Sequence, residues 1–102
     1  MRTFRNLRVG ELIREELSKI FLRNMEFPGF VTINSVEVVG KMETAHVKVS
    51  VIPEEKGKEV YELLQKERGA LQFKLLRKLN IKPMPRLEFG LIRIEEAEKI
   101  EK

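Results

Sequence analysis

Between Phe4 and Met25, apolar residues recur at three- and four-residue steps as Phe4, Leu7, Leu12, Ile13, Leu17, Ile20 and Phe21, the spacing of one face of an amphipathic helix. Thr3 stands where an N-cap is needed. Pro28 and Gly29 stop the helix, because proline also drives the residue before it out of the helical region. The segment "VTINSVEVV", residues 31–39, predicts a strand. After a tight connection at Gly40, Lys41 and Met42, the residues Ala45, Val47, Val49 and Val51 alternate with Thr44, His46, Lys48 and Ser50. A period of two with one apolar and one polar face predicts a second strand.

Helical spacing returns after Pro53. Glu54 and Glu55 lie in its first turn, where the helix dipole favours negative charge, and Val60, Leu63 and Leu64 form an inner stripe. Continuing that stripe at about 3.6 residues per turn brings Glu67 to the buried side beside Leu71. An unpaired buried carboxylate is costly. The expectation is therefore a kink near Arg68 and Gly69 and a separate helix from Ala70 to Leu79. Pro83 and Pro85 forbid further helix, and Leu87, Phe89 and Leu91 alternate inward as a third strand. The closing "EEAEKIEK" reads as a short charged helix.

The predicted order is α-β-β-α-kink-α-β, an α+β fold with an antiparallel first hairpin and helices covering one face of a three-stranded sheet. Combined with a basic kinked helix pair, this order points to a type II KH-like nucleic-acid-binding domain over residues 1–95, followed by a short charged tail, 96–102. With 42% hydrophobic and 35% charged residues in 102, the chain has the composition of one globular domain, and no run of about 18 apolar residues is present to span a membrane. Its start lacks the apolar stretch of a secretion signal, so a cytoplasmic location is expected; the chain is also expected to be a monomer. There is no Cys, no Asp, a single His and no Gly-rich phosphate loop. That inventory predicts neither an enzyme nor a metal or cofactor site.

Charge adds what periodicity does not. Residues 66–86 hold seven Lys or Arg against one Glu, although the net charge of the whole chain is only +4. Residues 1–23 carry six basic and three acidic groups, while 24–65 and 87–102 are net acidic. Signs segregated in this way predict a polyanionic partner. On a helix from Ala70 to Leu79, Leu71, Leu75, Leu76 and Leu79 share one arc, and Lys74, Arg77 and Lys78 share the opposite one. Lys66 and Arg68 flank the kink, and Lys82 and Arg86 lie beyond the helix. Together they suit a phosphate backbone. Gly69 permits positive φ and close backbone approach, and a helix starting beside it would turn free N–H groups toward a phosphate.

Arg2, Arg5 and Arg8 crowd the start of the first helix, where positive charge opposes the dipole, so they are candidate phosphate contacts. The competing account is a solvated face with partners such as Glu11 for Arg8. Phe73 sits at the boundary of the two arcs, where core packing is expected and base stacking is the alternative. His46 is expected as an ordinary surface residue on its strand's polar face.

These segments resemble the ribosome-binding factor A family over nearly the whole chain. "RNLRVGELIREELSKI" is similar to that family's opening helix, with Arg5, Arg8, Val9, Ile13, Glu16, Leu17 and Ile20 at preferred positions. "VTINSVEVV" with "TAHVKVSV" resembles its hairpin, and "LLQKERGALQFKLLRKLNIKPMPRLEF" its kinked helices and last strand. In the family a small residue, any residue and Gly mark the kink where other KH proteins carry a Gly-x-x-Gly loop. Here Glu67 replaces a usual Ala, Lys41 replaces a frequent Asp, and the tail is short. The resemblance implies an assembly or maturation factor that binds the free small ribosomal subunit and 16S rRNA, with a role in rRNA processing. A generic RNA- or DNA-binding KH-like protein and a basic protein-interaction domain are the alternatives.

Overall fold

In the computed structural model, which describes residues 3–93, the chain runs α1 (Phe4–Asn24), β1 (Phe30–Val39), β2 (Thr44–Ile52), a 3-10 turn (Glu54–Lys56), α2 (Gly57–Leu79) and β3 (Arg86–Leu91). Arg2 and the tail 96–102 lie outside the described residues. The sheet order is β1-β2-β3, with β1 antiparallel and β3 parallel to the central β2. Both helices lie on one face of the sheet, so the architecture is the expected α+β arrangement of helices covering a three-stranded sheet.

The cap of α1 is the predicted one, since Thr3 Oγ1 accepts from the Asn6 N–H at 3.1 Å. The apolar series of α1 starts later than expected. Phe4 and Leu7 face solvent, and the inward position of the first turns belongs to Asn6, whose Nδ2 donates to the Gly40 carbonyl at 3.0 Å. That bond ties α1 to the β1–β2 turn. Farther along, Val9, Ile13, Leu17, Ile20 and Phe21 are buried. Gly10 lets the helix settle directly on the strand, because a Cβ there would stand 2.9 Å from the Val36 carbonyl oxygen.

Strand β1 contains an irregularity with a readable cause. Val31 and Ile33 alternate correctly, but the next apolar residues, Val36 and Val38, are displaced by one position. Without correction a one-residue slip would turn both to the opposite face. The register shifts between Ile33 and Ser35, leaving Asn34 as the extra residue of a bulge, and Val36 and Val38 then pair with Val47 and Ala45. Strand β2 alternates as predicted, its Ala45, Val47, Val49 and Val51 forming the centre of the core.

The predicted separate third helix is not present; α2 is one helix from Gly57 to Leu79. Val60, Leu64, Leu71 and Leu75 are buried along a single stripe. Glu67 and Arg68 straddle that stripe, each about 50° from its centre at the rotation of an α-helix, and both are half-buried. The carboxylate therefore keeps its solvent without any break in the backbone. Gly69 does not adopt positive φ; among the described glycines only Gly40, in the hairpin turn, does so. With helical hydrogen bonding running through, no free N–H cluster forms beside Gly69. Leu76, expected inside, is 37% exposed, because it lies about 130° from the centre of the stripe at the rotation of an α-helix. The helix ends at Asn80, whose left-handed φ of 51° closes the last turn through its N–H to the Leu76 carbonyl at 2.9 Å.

Gln72 fixes the return to the sheet. Its Nε2 donates to the Pro85 carbonyl at 2.6 Å and its Oε1 accepts from the Leu87 N–H at 2.8 Å, so α2 holds the entry to β3 through one side chain.

Candidate nucleic-acid interface

The two basic stretches of the sequence meet in space. Arg5, in the first turn of α1, donates from Nη2 to the Lys82 carbonyl at 3.3 Å across 77 positions of sequence. Around this contact Arg5, Arg8, Val9, Leu12, Asn80, Ile81 and Lys82 line a surface groove of about 510 Å³. The first turn of α1 holds no acidic residue, so its dipole and the two arginines reinforce one another as positive field.

Arg68 and Arg86 are brought together by the Gln72 clamp. They share a shallow recess of about 190 Å³ with Gly69 and Gln72, and both also line a neighbouring one of about 240 Å³ with Tyr61, Gln65, Glu88 and Phe89. Residues 82–86 link these recesses to the first groove along the chain, with Lys82 in one and Arg86 in the others.

Lys66, Lys74, Arg77 and Lys78 are exposed on α2 itself. Arg77 and Lys78 lie in its last turn, where they also complement the helix dipole, whereas Lys66 and Lys74 have no such local role. The ion pair Lys56–Glu59, at 3.4 Å, shows what an internally neutralised surface cation looks like in this molecule. Among the described residues none of Lys66, Arg68, Lys74, Arg77, Lys78, Lys82 and Arg86 has a carboxylate partner, and neither do Arg5 and Arg8. The pairing of Arg8 with Glu11 that the competing account requires is absent among the described residues. Glu67 sits between Lys66 and Arg68 without pairing with either.

Phe73 corrects the expectation of core packing. It is 56% exposed, and the Arg77 guanidinium stands 5.7 Å from its ring centroid. A wheel drawn over all of Gly57–Leu79 places Phe73 opposite the buried stripe, a signal that the shorter span from Ala70 conceals. Asn6, Gln72 and Asn80 leave no pattern in the sequence, because their roles are one or two hydrogen bonds to distant or local backbone. His46 is half-buried on the uncovered face of the sheet, opposite Glu37 on β1 and Glu88 on β3.

Among the described residues there is no group of three potential metal ligands, and no helix is long and apolar enough to cross a membrane. What the arrangement offers is a set of cations without carboxylate partners among the described residues, carried by the two long helices, the loop at Lys82 and the first residue of β3.

The family model described as ribosome-binding factor A matches residues 5–102. A ribosome-binding factor A from Macrococcus caseolyticus is 36% identical over 90 residues, covering 85% of this chain and 79% of the relative. One from Akkermansia muciniphila is 34% identical over 85 residues, covering 82% and 68%. The fold is similar, with a TM-score of 0.65 and 23% identity over 88% of this chain and 93% of the other, to a Thermus thermophilus ribosome binding factor A homology model fitted into the cryo-EM map of a 30S–RbfA complex. A match that begins at Arg5 and continues past β3 takes in both helices, the hairpin and every described cation of the interface, and so the chain belongs to the ribosome-binding factor A family.

Proposed function

We propose that the protein is an assembly or maturation factor that binds the free small ribosomal subunit through its 16S rRNA and supports rRNA processing without performing a chemical step. Arg5, Arg8, Lys66, Arg68, Lys74, Arg77, Lys78, Lys82 and Arg86 serve as phosphate contacts, and Gly69 is a point of close approach. The observation that carries this reading is the set of cations left without carboxylate partners among the described residues. When unpaired cations meet phosphates, condensed counterions are released, which supplies affinity and a steep salt dependence. The Thermus relative's place in a 30S complex supports the choice of target.

Co-sedimentation in a sucrose gradient tests the target. The protein is expected with free small subunits and not with polysomes; equal partition would leave only a generic RNA binder. Association that survives nuclease would instead indicate a protein partner. For the contacts, K74A/R77A/K78A is expected to reduce the slope of log K against log salt by about 2, at roughly 0.7 per phosphate on a single strand. An unchanged slope and affinity would remove α2 from the interface and leave the groove at Arg5 and Arg8.

A further inference from the structure

Helix α2 carries an aromatic residue where solubility would place a charge. Its buried stripe runs through Val60, Leu64, Leu71 and Leu75, and Phe73 lies on the side facing directly away from it. The ring is 56% exposed and contributes nothing to the core cluster. Its neighbours one turn away are two small residues, Gly69 and Ala70, on one side, and Leu76 and the cationic Arg77 on the other. One turn toward the N-terminus Gly69 and Ala70 are both exposed, and nothing stands within 4 Å of the place a Gly69 side chain would occupy. One turn toward the C-terminus Arg77 brings its guanidinium 5.7 Å from the ring centroid.

We propose that Phe73, held beside Arg77, is a stacking platform for one unpaired base, so that the α2 face of the interface takes single-stranded RNA and not a duplex. This rests on the reading of the protein as an rRNA binder and adds the class of RNA bound. A duplex presents phosphates but hides its base faces, so cations alone would serve it and the exposed ring would be idle. An unpaired strand presents both. Its base lies on the ring, its backbone passes over the low shelf of Gly69 and Ala70, and the phosphates on either side meet Lys66, Lys74 and Arg77. Aromatic stacking accepts any base, because every base has a π-face, so the platform selects strandedness and not sequence. The cationic surroundings argue against a protein partner, which would have to bring acidic groups to each of these positions.

The test compares three RNA probes with the full-length chain: a 12-nucleotide oligouridylate, an abasic strand of the same length with the same phosphates, and a 12-base-pair duplex. Phe73→Leu keeps the apolar volume and removes the ring. It is expected to weaken oligouridylate binding by roughly 5- to 150-fold, the range measured for a stacked base, while leaving abasic-strand binding, the salt slope and the melting temperature unchanged. Phe73→Trp is expected to bind at least as well as the native protein, and 2-aminopurine placed in the strand should be quenched by the native and Trp proteins but not by Phe73→Leu. Native-like binding by Phe73→Leu, with K74A/R77A/K78A impaired, would overturn the platform and leave the rRNA reading standing. Equal weakening on all three probes would also overturn it, by showing that the ring only positions Arg77. A nuclease-resistant protein association lost in Phe73→Leu would reassign the ring to a protein contact. If the native chain bound none of the probes and no small subunits, the underlying function itself would fail.

Discussion

Each long helix carries a glycine away from its ends, and the two occupy opposite environments. Gly10 of α1 is buried against β1, where a Cβ would come within 2.9 Å of the Val36 carbonyl oxygen and 3.8 Å of Val38 Cγ2. Gly69 of α2 faces solvent, with nothing within 4 Å. Glycine inside a helix costs about 1 kcal/mol relative to alanine, so each needs a compensating reason. For Gly10 the reason lies within the chain, since the helix could not seat on the strand with a side chain there. For Gly69 the described residues hold no such reason. A residue that weakens the fold and is unexplained by it directs attention to whatever the protein touches, and Gly69 lies among the unpaired cations.

The largest expected effect measures how different the two sides of α2 are. Leu75 is fully buried on the packed side, about 1.7 turns beyond Gly69, and Leu75→Ala is expected to destabilise the fold by about 2–5 kcal/mol through lost burial and the cavity left behind. Chemical denaturation reads this directly; a loss below 1 kcal/mol would mean α2 does not pack on the sheet as described. Gly10→Ala comes next. Helix propensity alone would make it stabilising by about 1 kcal/mol. The clash with the Val36 carbonyl should reverse that sign, with a net loss of about 1–3 kcal/mol as α1 is pushed off β1. A higher denaturation midpoint for Gly10→Ala would break the comparison between the two glycines at its first term.

What could be read without coordinates follows the range of the interaction concerned. The Thr3 cap, the alternation of β2 and the end of α1 are local, and each is found where its pattern placed it. A break at Gly69 follows only if the apolar stripe of α2 is a line that Glu67 must cross. A stripe has width, and Glu67 and Arg68 pass on either side of it. The β1 bulge left a trace in the odd spacing from Ile33 to Val36, which becomes decisive only once β2 shows which face is inward. The groove itself was hidden in principle, because the bond from Arg5 to Lys82 joins residues 77 positions apart and leaves no local pattern in either segment. The charge asymmetry marks both halves of the proposed interface, but only the fold brings Arg5 and Lys82 together.

The smallest effect is the one that decides what Gly69 is for. Gly69→Ala adds a methyl group into open space on an exposed helical surface, so the folded state gains propensity without meeting a clash. The expected gain is about 0.5–1 kcal/mol, seen as a rise in melting temperature of roughly 2–8 °C for a domain of this size. If RNA backbone passes over this shelf, the same methyl group should weaken oligouridylate binding, and a larger side chain at 69 should weaken it further while still folding. Stability and binding would then move in opposite directions at one position, which neither a packing defect nor a general loss of charge produces. A stabilised Gly69→Ala with unchanged RNA affinity would instead show that the glycine is tolerated and not used, and the contact surface on α2 would contract to Phe73 and the cations around it.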